Sequence, residues 1–182
     1  MLDRIPGCSI ACLDGSREML AVARKKLESF PVELHCRDLA SDDRHLPWTD
    51  DTFDGAISTL VLEHLPFDEY RKVLRGLLRI LKPGALMVAV EGYAGEKLQS
   101  VYMEEMARQE QRLVQARTLS RELLDEIKRV SKENETHYFA TIAEKREWWM
   151  DEGFTEVETI RQYYCVAIMV GQKPSNNGPK GR

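Results

Sequence analysis

The stretch from residue 46 to residue 84 constrains the fold more than any other part of this 182-residue chain. A short, mostly apolar run, Phe53–Ser58, follows several turn formers and predicts a buried strand. From Phe67 onward apolar side chains recur at helical spacing, at Tyr70, Val73, Leu74, Leu77, Leu78 and Leu81. Pro83-Gly84 predicts the end of that helix, since proline lacks an N–H and glycine accepts a reversed backbone. A second apolar run, Ala85–Val90, completes a predicted parallel βαβ unit.

The residues before this unit predict one more strand, helix and strand. Ser9–Leu13 is a short apolar run that ends at Asp14, and Arg17–Ser29 has a helical pattern with Ser16 as a plausible N-cap. Val32–Arg37 then predicts a second strand, which ends at Asp38. Strands that alternate with helices indicate an α/β fold with a doubly wound, mainly parallel sheet.

The residues after Glu91 predict a helical insertion and a final antiparallel pair. Residues 96–136 are highly charged and form the predicted insertion, with two helices in 97–130 that offer a surface for homo- or hetero-oligomers. Thr141 and Glu144 match a capping box, which predicts a helix that stops at Gly153. Two strand patterns follow at 154–163 and 164–172, and residues 174–182 are predicted to be a disordered tail. Residues 1–173 are thus predicted to form one domain.

Composition excludes several classes of function. The net charge of −4 gives no global attraction for nucleic acid or an anionic membrane, so DNA is not an expected partner. The sequence shows no membrane-spanning run and no signal-peptide pattern, which predicts a cytoplasmic protein. The four cysteines form no CxxC pair, so neither a metal site nor a disulfide is expected. Cys36 and Cys165 lie in strand-like runs and are predicted to be small buried side chains.

The chemistry-bearing residues lie at predicted strand ends, where ligands bind in open α/β sheets. Three ends carry Asp14, Asp38 and the segment 58–60 (Ser58, Thr59 and Leu60). An aspartate at the first of these ends can pair with ribose hydroxyls, and one at the next can accept from an adenine amino group. The alternative is that both aspartates only cap helices or form turns. Taken together and in this order, they favour a nucleoside site. His64 follows a strand and is the one histidine placed to touch a substrate.

The chain resembles the class I S-adenosylmethionine-dependent methyltransferases. The resemblance rests on residues 11–27, 36–54, 56–65 and 78–92 and on the glycine-phenylalanine step at Gly153. It implies a Rossmann-like sheet, S-adenosyl-L-methionine as cofactor, and methyl transfer to an unidentified small-molecule or RNA acceptor. By resemblance the cofactor-binding residues are Asp14, Ser16, Met19, Asp38, Leu39, Ser58, Thr59 and Leu60. His64 and Leu65 would face the methyl acceptor, whereas no catalytic residue and no metal ligand is implied.

One part of the family pattern is missing. The family's first strand and its glycine-rich loop (motif I) should precede Asp14 by about 20 residues, which lies before Met1. Its absence would leave unpaired strand edges. Three interpretations follow: a fragment of a full enzyme, a truncated product that pairs the Asp14 strand directly with the Ser58 strand, or a catalytically inactive accessory subunit that completes its sheet with a partner.

Overall fold

The computed structural model describes residues 7–40, 46–94 and 140–175, together with scattered positions between 104 and 125. The chain divides into two compact units, Met1–Arg44 and His45–Arg182, and each is described by itself. Both combine parallel strands with helices, which confirms the predicted α/β class.

The first unit is a two-stranded parallel sheet with one helix. Strand β1 (Ile10–Asp14) and strand β2 (Val32–Cys36) pair along their full length, so that Asp14 lies opposite Cys36. Between them, helix α1 (Arg17–Lys26) begins at Ser16, whose hydroxyl accepts a hydrogen bond from the Met19 N–H at 3.1 Å. The predicted strands, helix and N-cap are therefore confirmed, although the helix ends three residues before Ser29.

The cysteines depart from the expectation of buried strand residues. All four are free thiols, but Cys36 is exposed at the last position of β2, where its thiol lies 3.7 Å from the Gly15 carbonyl oxygen. Cys165 lies in a turn between two strands and is half-buried. The prediction of buried strand cysteines was wrong because an apolar run indicates a strand without showing which of its side chains face the core.

The second unit contains a four-stranded mixed sheet. Its elements are β3 (Phe53–Thr59), a 3₁₀ helix (Leu62–His64), α2 (Phe67–Ile80), β4 (Leu81–Gly92), α3 (Ile142–Asp151), β5 (Thr155–Tyr163) and β6 (Val166–Gln172). The strand order is β3-β4-β6-β5. Strands β3 and β4 are parallel, and β6 lies antiparallel to both β4 and β5. The predicted βαβ unit and C-terminal antiparallel pair are confirmed.

Helix α2 ends earlier than the Pro83-Gly84 pair predicted. It stops at Ile80, and Leu81 already belongs to β4 and pairs with Phe53. Proline disfavours a helical conformation in the residue before it, so the chain becomes extended ahead of Pro83. Gly84 has φ +83° and its N–H donates to the Lys173 carbonyl at 2.9 Å. The proline and glycine thus lie inside an irregular start of the strand.

Within the first unit β1 pairs with β2, and within the second unit β3 pairs with β4. The three interpretations of the missing strand stay predictions. The predicted helices of 97–130 and the tail 174–182 lie mostly outside the described residues. Among those described there, the Ala116 N–H donates to the Arg112 carbonyl at 2.9 Å, as in a helix. No helix in the described ranges is long and apolar enough to cross a membrane.

Helix α3 packs its aromatic face into the core of the second unit. The predicted capping box is present: the Thr141 side chain accepts from the Glu144 N–H, and Glu144 accepts from the Thr141 N–H at 2.8 Å. Trp149 is fully buried, with its ring 5.1 Å from that of Phe154. Gly171 makes room for it, since a Cβ there would lie 2.7 Å from Trp149 Cε3.

A carboxylate at the end of α3 joins this helix to α2. Glu152 accepts hydrogen bonds from Arg71 at 2.6 Å and from Arg75 at 2.7 Å, and its own side chain is only 5% exposed. Burial acts to raise the pKa of Glu152, but the two guanidinium groups outweigh it and hold the pKa below its ordinary value.

We expect Glu152→Gln to lower the free energy of unfolding at pH 7 by about 1–2 kcal/mol, because charge-assisted hydrogen bonds are lost. A carboxylate whose folded pKa is depressed stabilises the fold above its unfolded pKa of about 4.3, and this contribution disappears as pH falls through the folded pKa. The unfolding free energies of wild type and variant in urea should therefore differ at pH 7, and the difference should shrink as the pH is lowered. Glu147→Gln, an exposed change in the same helix, is the control. A difference that stays constant as the pH is lowered would contradict the assignment.

Candidate functional site

Two aspartates lie on neighbouring chain segments at one edge of the first unit. The Arg37 N–H donates to the Asp14 carbonyl at 3.0 Å, so the chain segments that leave β1 and β2 are joined. Gly15 lies against the second segment, because a Cβ at this position would be 3.8 Å from both the Arg37 carbonyl oxygen and the Asp38 Cα. Asp14 and Asp38 thus follow adjacent parallel strands, as the sequence predicted.

Each aspartate also shapes its own turn. Asp14 Oδ1 accepts from the Ser16 N–H at 2.8 Å, and Asp38 Oδ1 accepts from the Ala40 N–H at 2.9 Å. The turn-forming role that stood as the alternative is therefore present in both. In Asp14 it uses only one of the two carboxylate oxygens. Asp14 Oδ2 makes no hydrogen bond within the described part of the chain and remains available as an acceptor.

The other predicted residues of this unit surround the start of α1. The Ser16 hydroxyl is engaged twice, since it caps Met19 and donates to Glu18 Oε2 at 2.9 Å. Hydrogen bonds to its own backbone N–H and to Ser16 lower the pKa of Glu18. Met19 points away from the small core and is 58% exposed, whereas Leu39 is half-buried. The contact of Met19 with adenine, which the resemblance implies, stays a prediction.

In the second unit, the segment 58–60 ends β3 with an unusual backbone. Leu60 has φ +53°, in the left-handed region that non-glycine residues enter at a cost, and its N–H donates to the Val90 carbonyl at 2.8 Å. Such conformations cluster at functional sites. Leu60 is exposed, as is Thr59, whereas Ser58 is half-buried.

In the 3₁₀ helix that follows, two neighbouring residues differ in their exposure to solvent. His64, the predicted acceptor-side residue, is exposed. Glu63 beside it is buried, with a side chain that contacts the end of β4: its Oε1 accepts from the Gly92 N–H at 3.4 Å. Sequence reasoning named His64 and missed Glu63.

Glu63 belongs to a buried polar cluster that sequence reasoning did not predict. Its other members are Glu91, Lys145, Tyr70 and Tyr93. The Glu91 carboxylate accepts from the Lys145 ammonium and from the Tyr70 hydroxyl, the latter at 3.2 Å. Lys145 Nζ also lies 4.8 Å from the ring centroids of both tyrosines. Both charged groups of the ion pair are essentially inaccessible to solvent.

Burial changes the acid–base behaviour of this cluster. It raises the pKa of the Glu91 carboxyl, although the Lys145 ammonium acts in the opposite direction. Burial, followed by the charge of Glu91, also raises the pKa of the Tyr70 and Tyr93 hydroxyls. Both tyrosines are therefore neutral at physiological pH. The positions of Glu63 and Glu91, just after β3 and at the end of β4, are the only signal that could have pointed to them.

Known protein families include one that matches the part of the chain holding the predicted cofactor-binding residues. Residues 1–89, which contain both aspartates and the segment 58–60, match the family model described as a methyltransferase domain. This region is therefore similar in sequence to methyltransferase domains. The match covers every cofactor-binding residue that the sequence predicted.

Relatives of known function agree with the methyltransferase assignment. The chain is 36% identical over 89 residues to a demethylmenaquinone methyltransferase from Thermus thermophilus, a match that covers 49% of this chain and 39% of that protein. It is 30% identical over 89 residues to a phosphatidylethanolamine N-methyltransferase from Cereibacter sphaeroides, which covers 49% of this chain and 43% of that protein. The chain thus spans about two fifths of the length of these relatives.

Structural comparison extends the likeness in fold beyond residue 89. A SAM-dependent methyltransferase from Methanosarcina mazei superposes with a TM-score of 0.59 and 17% identity, covering 92% of this chain and 82% of that one. At this identity the likeness shows the fold alone, and that fold is Rossmann-like.

The predicted site residues divide between the two units. The first unit brings together Asp14, Ser16, Met19, Asp38 and Leu39 around the ends of β1 and β2. The second holds Ser58, Thr59, Leu60 and His64 after β3, beside the buried cluster. The family resemblance implies that the first set binds the nucleoside end of the cofactor. These roles remain predictions.

Proposed function

We propose that the protein is an S-adenosylmethionine-dependent methyltransferase that acts on a small-molecule acceptor. The observation that carries the proposal is the pair of carboxylates, Asp14 and Asp38, on adjacent parallel strand ends. The domain match and the relatives favour methyl transfer over the alternative of an inactive accessory subunit. Two of the relatives are named for demethylmenaquinone and phosphatidylethanolamine, and neither acceptor is an RNA.

The donor chemistry of the first unit fits the nucleoside of this cofactor. Ribose presents two hydroxyl donors, and adenine presents an amino group. In this proposal the unengaged Oδ2 of Asp14 accepts from the ribose, and Asp38 with Leu39 contacts the adenine edge. Ser16 and Met19 line the same nucleoside end. When bound, the cofactor supplies a methyl group activated by its positive sulfur.

The second unit contributes the acceptor side of the proposed reaction. Ser58, Thr59 and Leu60 flank the methionine moiety, with the left-handed Leu60 turning the chain immediately after β3. His64 faces the methyl acceptor. Because the methyl group is already activated, the protein's task is chiefly to align the acceptor with it and to exclude water.

We expect Asp14→Asn to weaken binding of S-adenosylhomocysteine by about 5- to 150-fold, that is about 1–3 kcal/mol. Asparagine can keep the hydrogen bond to the Ser16 N–H, but it loses the negative charge that ribose hydroxyls favour. Isothermal titration calorimetry on the 182-residue chain measures the effect, with the exposed Glu28→Gln in the same unit as control. Unchanged affinity in Asp14→Asn would remove the ribose role, and no binding to wild type would remove the proposed function from this chain.

A further inference from the structure

Within residues 46–94 and 140–175, two buried polar atoms near the ends of β3 and β4 have no hydrogen-bond partner. They are the Oε2 of Glu63 and the hydroxyl of Tyr93, whose residues are 4% and 2% exposed. Both lie just beyond the carboxyl ends of β3 and β4. They belong to one electrostatic environment, because the charge of Glu63 acts on the Tyr93 hydroxyl.

The neighbouring polar groups of this cluster are satisfied, which makes the two exceptions informative. Glu63 Oε1 accepts from the Gly92 N–H, and the Tyr70 hydroxyl accepts from Trp149 Nε1 at 2.9 Å. Both oxygens of Glu91 are also engaged. A buried polar atom without a partner costs about 1–3 kcal/mol, so most folds avoid it. Two such atoms beside a well-bonded cluster indicate a place where another molecule supplies the partner.

The charges of the cluster define what that molecule presents. The Lys145 ammonium is paired with Glu91, and the charge of Glu63 acts on both Glu91 and Tyr93. The carboxylate oxygen of Glu63 can only accept a hydrogen bond, whereas the Tyr93 hydroxyl can donate or accept. An N–H or O–H group, neutral or cationic, matches this arrangement. A carboxylate or phosphate is repelled by it.

We propose that Glu63 and Tyr93 form the inner polar contacts of the methyl-acceptor subsite, and that the acceptor presents an N–H or O–H group to Glu63 Oε2. This inference rests on the proposed function, and it names the acceptor's chemical class. Its place agrees with the ligand-binding end of an open α/β sheet. Such a site rejects an analogue that lacks the donor, because the carboxylate oxygen then stays buried and unpaired.

The test uses three fragments of equal ring size: phenol, benzylamine and toluene. The aromatic rings around Lys145 make a benzene ring a suitable carrier for the donor group. Nuclear magnetic resonance titration of the full chain measures each dissociation constant. We expect saturable binding of phenol or benzylamine in the millimolar range, and at least tenfold weaker binding of toluene. In Glu63→Gln, which places an amide at this position, we expect the preferred fragment to bind at least tenfold more weakly.

The controls separate this inference from the proposed function. Tyr93→Phe deletes only the hydroxyl, and the same fragments are titrated against it if Glu63→Gln fails to fold. Glu158→Gln, a change of the same kind at an exposed position, is the matched control. S-adenosylhomocysteine affinity is measured in parallel and should be unchanged in all variants. Cofactor binding without any preference for donor-bearing fragments, or with equal fragment affinity in Glu63→Gln and Tyr93→Phe, would overturn the subsite and favour a buried water as the partner. Loss of cofactor binding by wild type would instead overturn the proposed function.

Discussion

Replacing Lys145 with methionine is expected to lower the free energy of unfolding by about 3–5 kcal/mol, since it leaves the Glu91 carboxylate buried without its charged partner. Lys145 and Glu91 are essentially inaccessible to solvent, and the remaining hydrogen bond from Tyr70 does not compensate a full charge. The loss should be largest at neutral pH. It should shrink as pH falls, because protonation of the isolated Glu91 carboxyl removes the buried charge.

Urea unfolding at neutral and at lower pH measures the loss of stability. Two further variants show whether the loss comes from the unpaired charge. The double change Lys145→Met with Glu91→Met should recover most of the lost stability, since a buried ion pair can be replaced by apolar groups of similar volume. Lys72→Met, which breaks a partly exposed pair with Glu69, should change stability by less than about 1 kcal/mol. A loss for Lys145→Met as small as that of Lys72→Met would show that water reaches the ion pair.

The second large effect is expected at Trp149. Its replacement with alanine should lower the free energy of unfolding by about 3–5 kcal/mol, because a fully buried indole leaves a cavity that its neighbours cannot fill. The ring packs on Phe154 and Gly171, and its N–H donates to the Tyr70 hydroxyl of the buried cluster. Thermal or urea unfolding provides the measurement.

Two changes nearby are the controls for Trp149. Trp148→Ala, at a half-buried position beside Phe67, should produce a smaller loss. Gly171→Ala should cost about 1–3 kcal/mol in wild type, because its Cβ would lie 2.7 Å from the indole, and much less in the Trp149→Ala background. Equal costs of Gly171→Ala in both backgrounds would falsify the close contact between glycine and ring.

The parts of the structure that local sequence predicted have a common basis. The Ser16 cap, the Thr141 capping box and the periodic helix α2 depend on residues within a few positions of one another. The pair of aspartates was predictable as well, because polar residues at the ends of successive parallel strands meet at one edge. Their turn-forming hydrogen bonds were predictable only as an alternative, since the same side chain can serve a turn with one oxygen and a ligand with the other.

The parts that it missed depend on distant residues. In the segment 142–151 charged residues stand on every side of the helix, so nothing in the pattern distinguished Lys145 from its exposed neighbours. Cys36 was misplaced for the same reason, because a five-residue strand does not reveal which face is covered. The early end of α2 at Ile80 required knowledge of the pairing between Leu81 and Phe53.

The sequence by itself determined the α/β class and the order of the described strands and helices, because these follow from periodicity and from residues at strand ends. The methyltransferase resemblance came from the motifs in residues 11–27, 36–54, 56–65 and 78–92. Only the tertiary structure decided that Glu63 is buried while His64 is exposed, and that Glu91 meets Lys145 across 54 positions of chain. Burial is a property of everything that packs around a side chain. A charged residue therefore shows its role only when the surrounding elements have been placed.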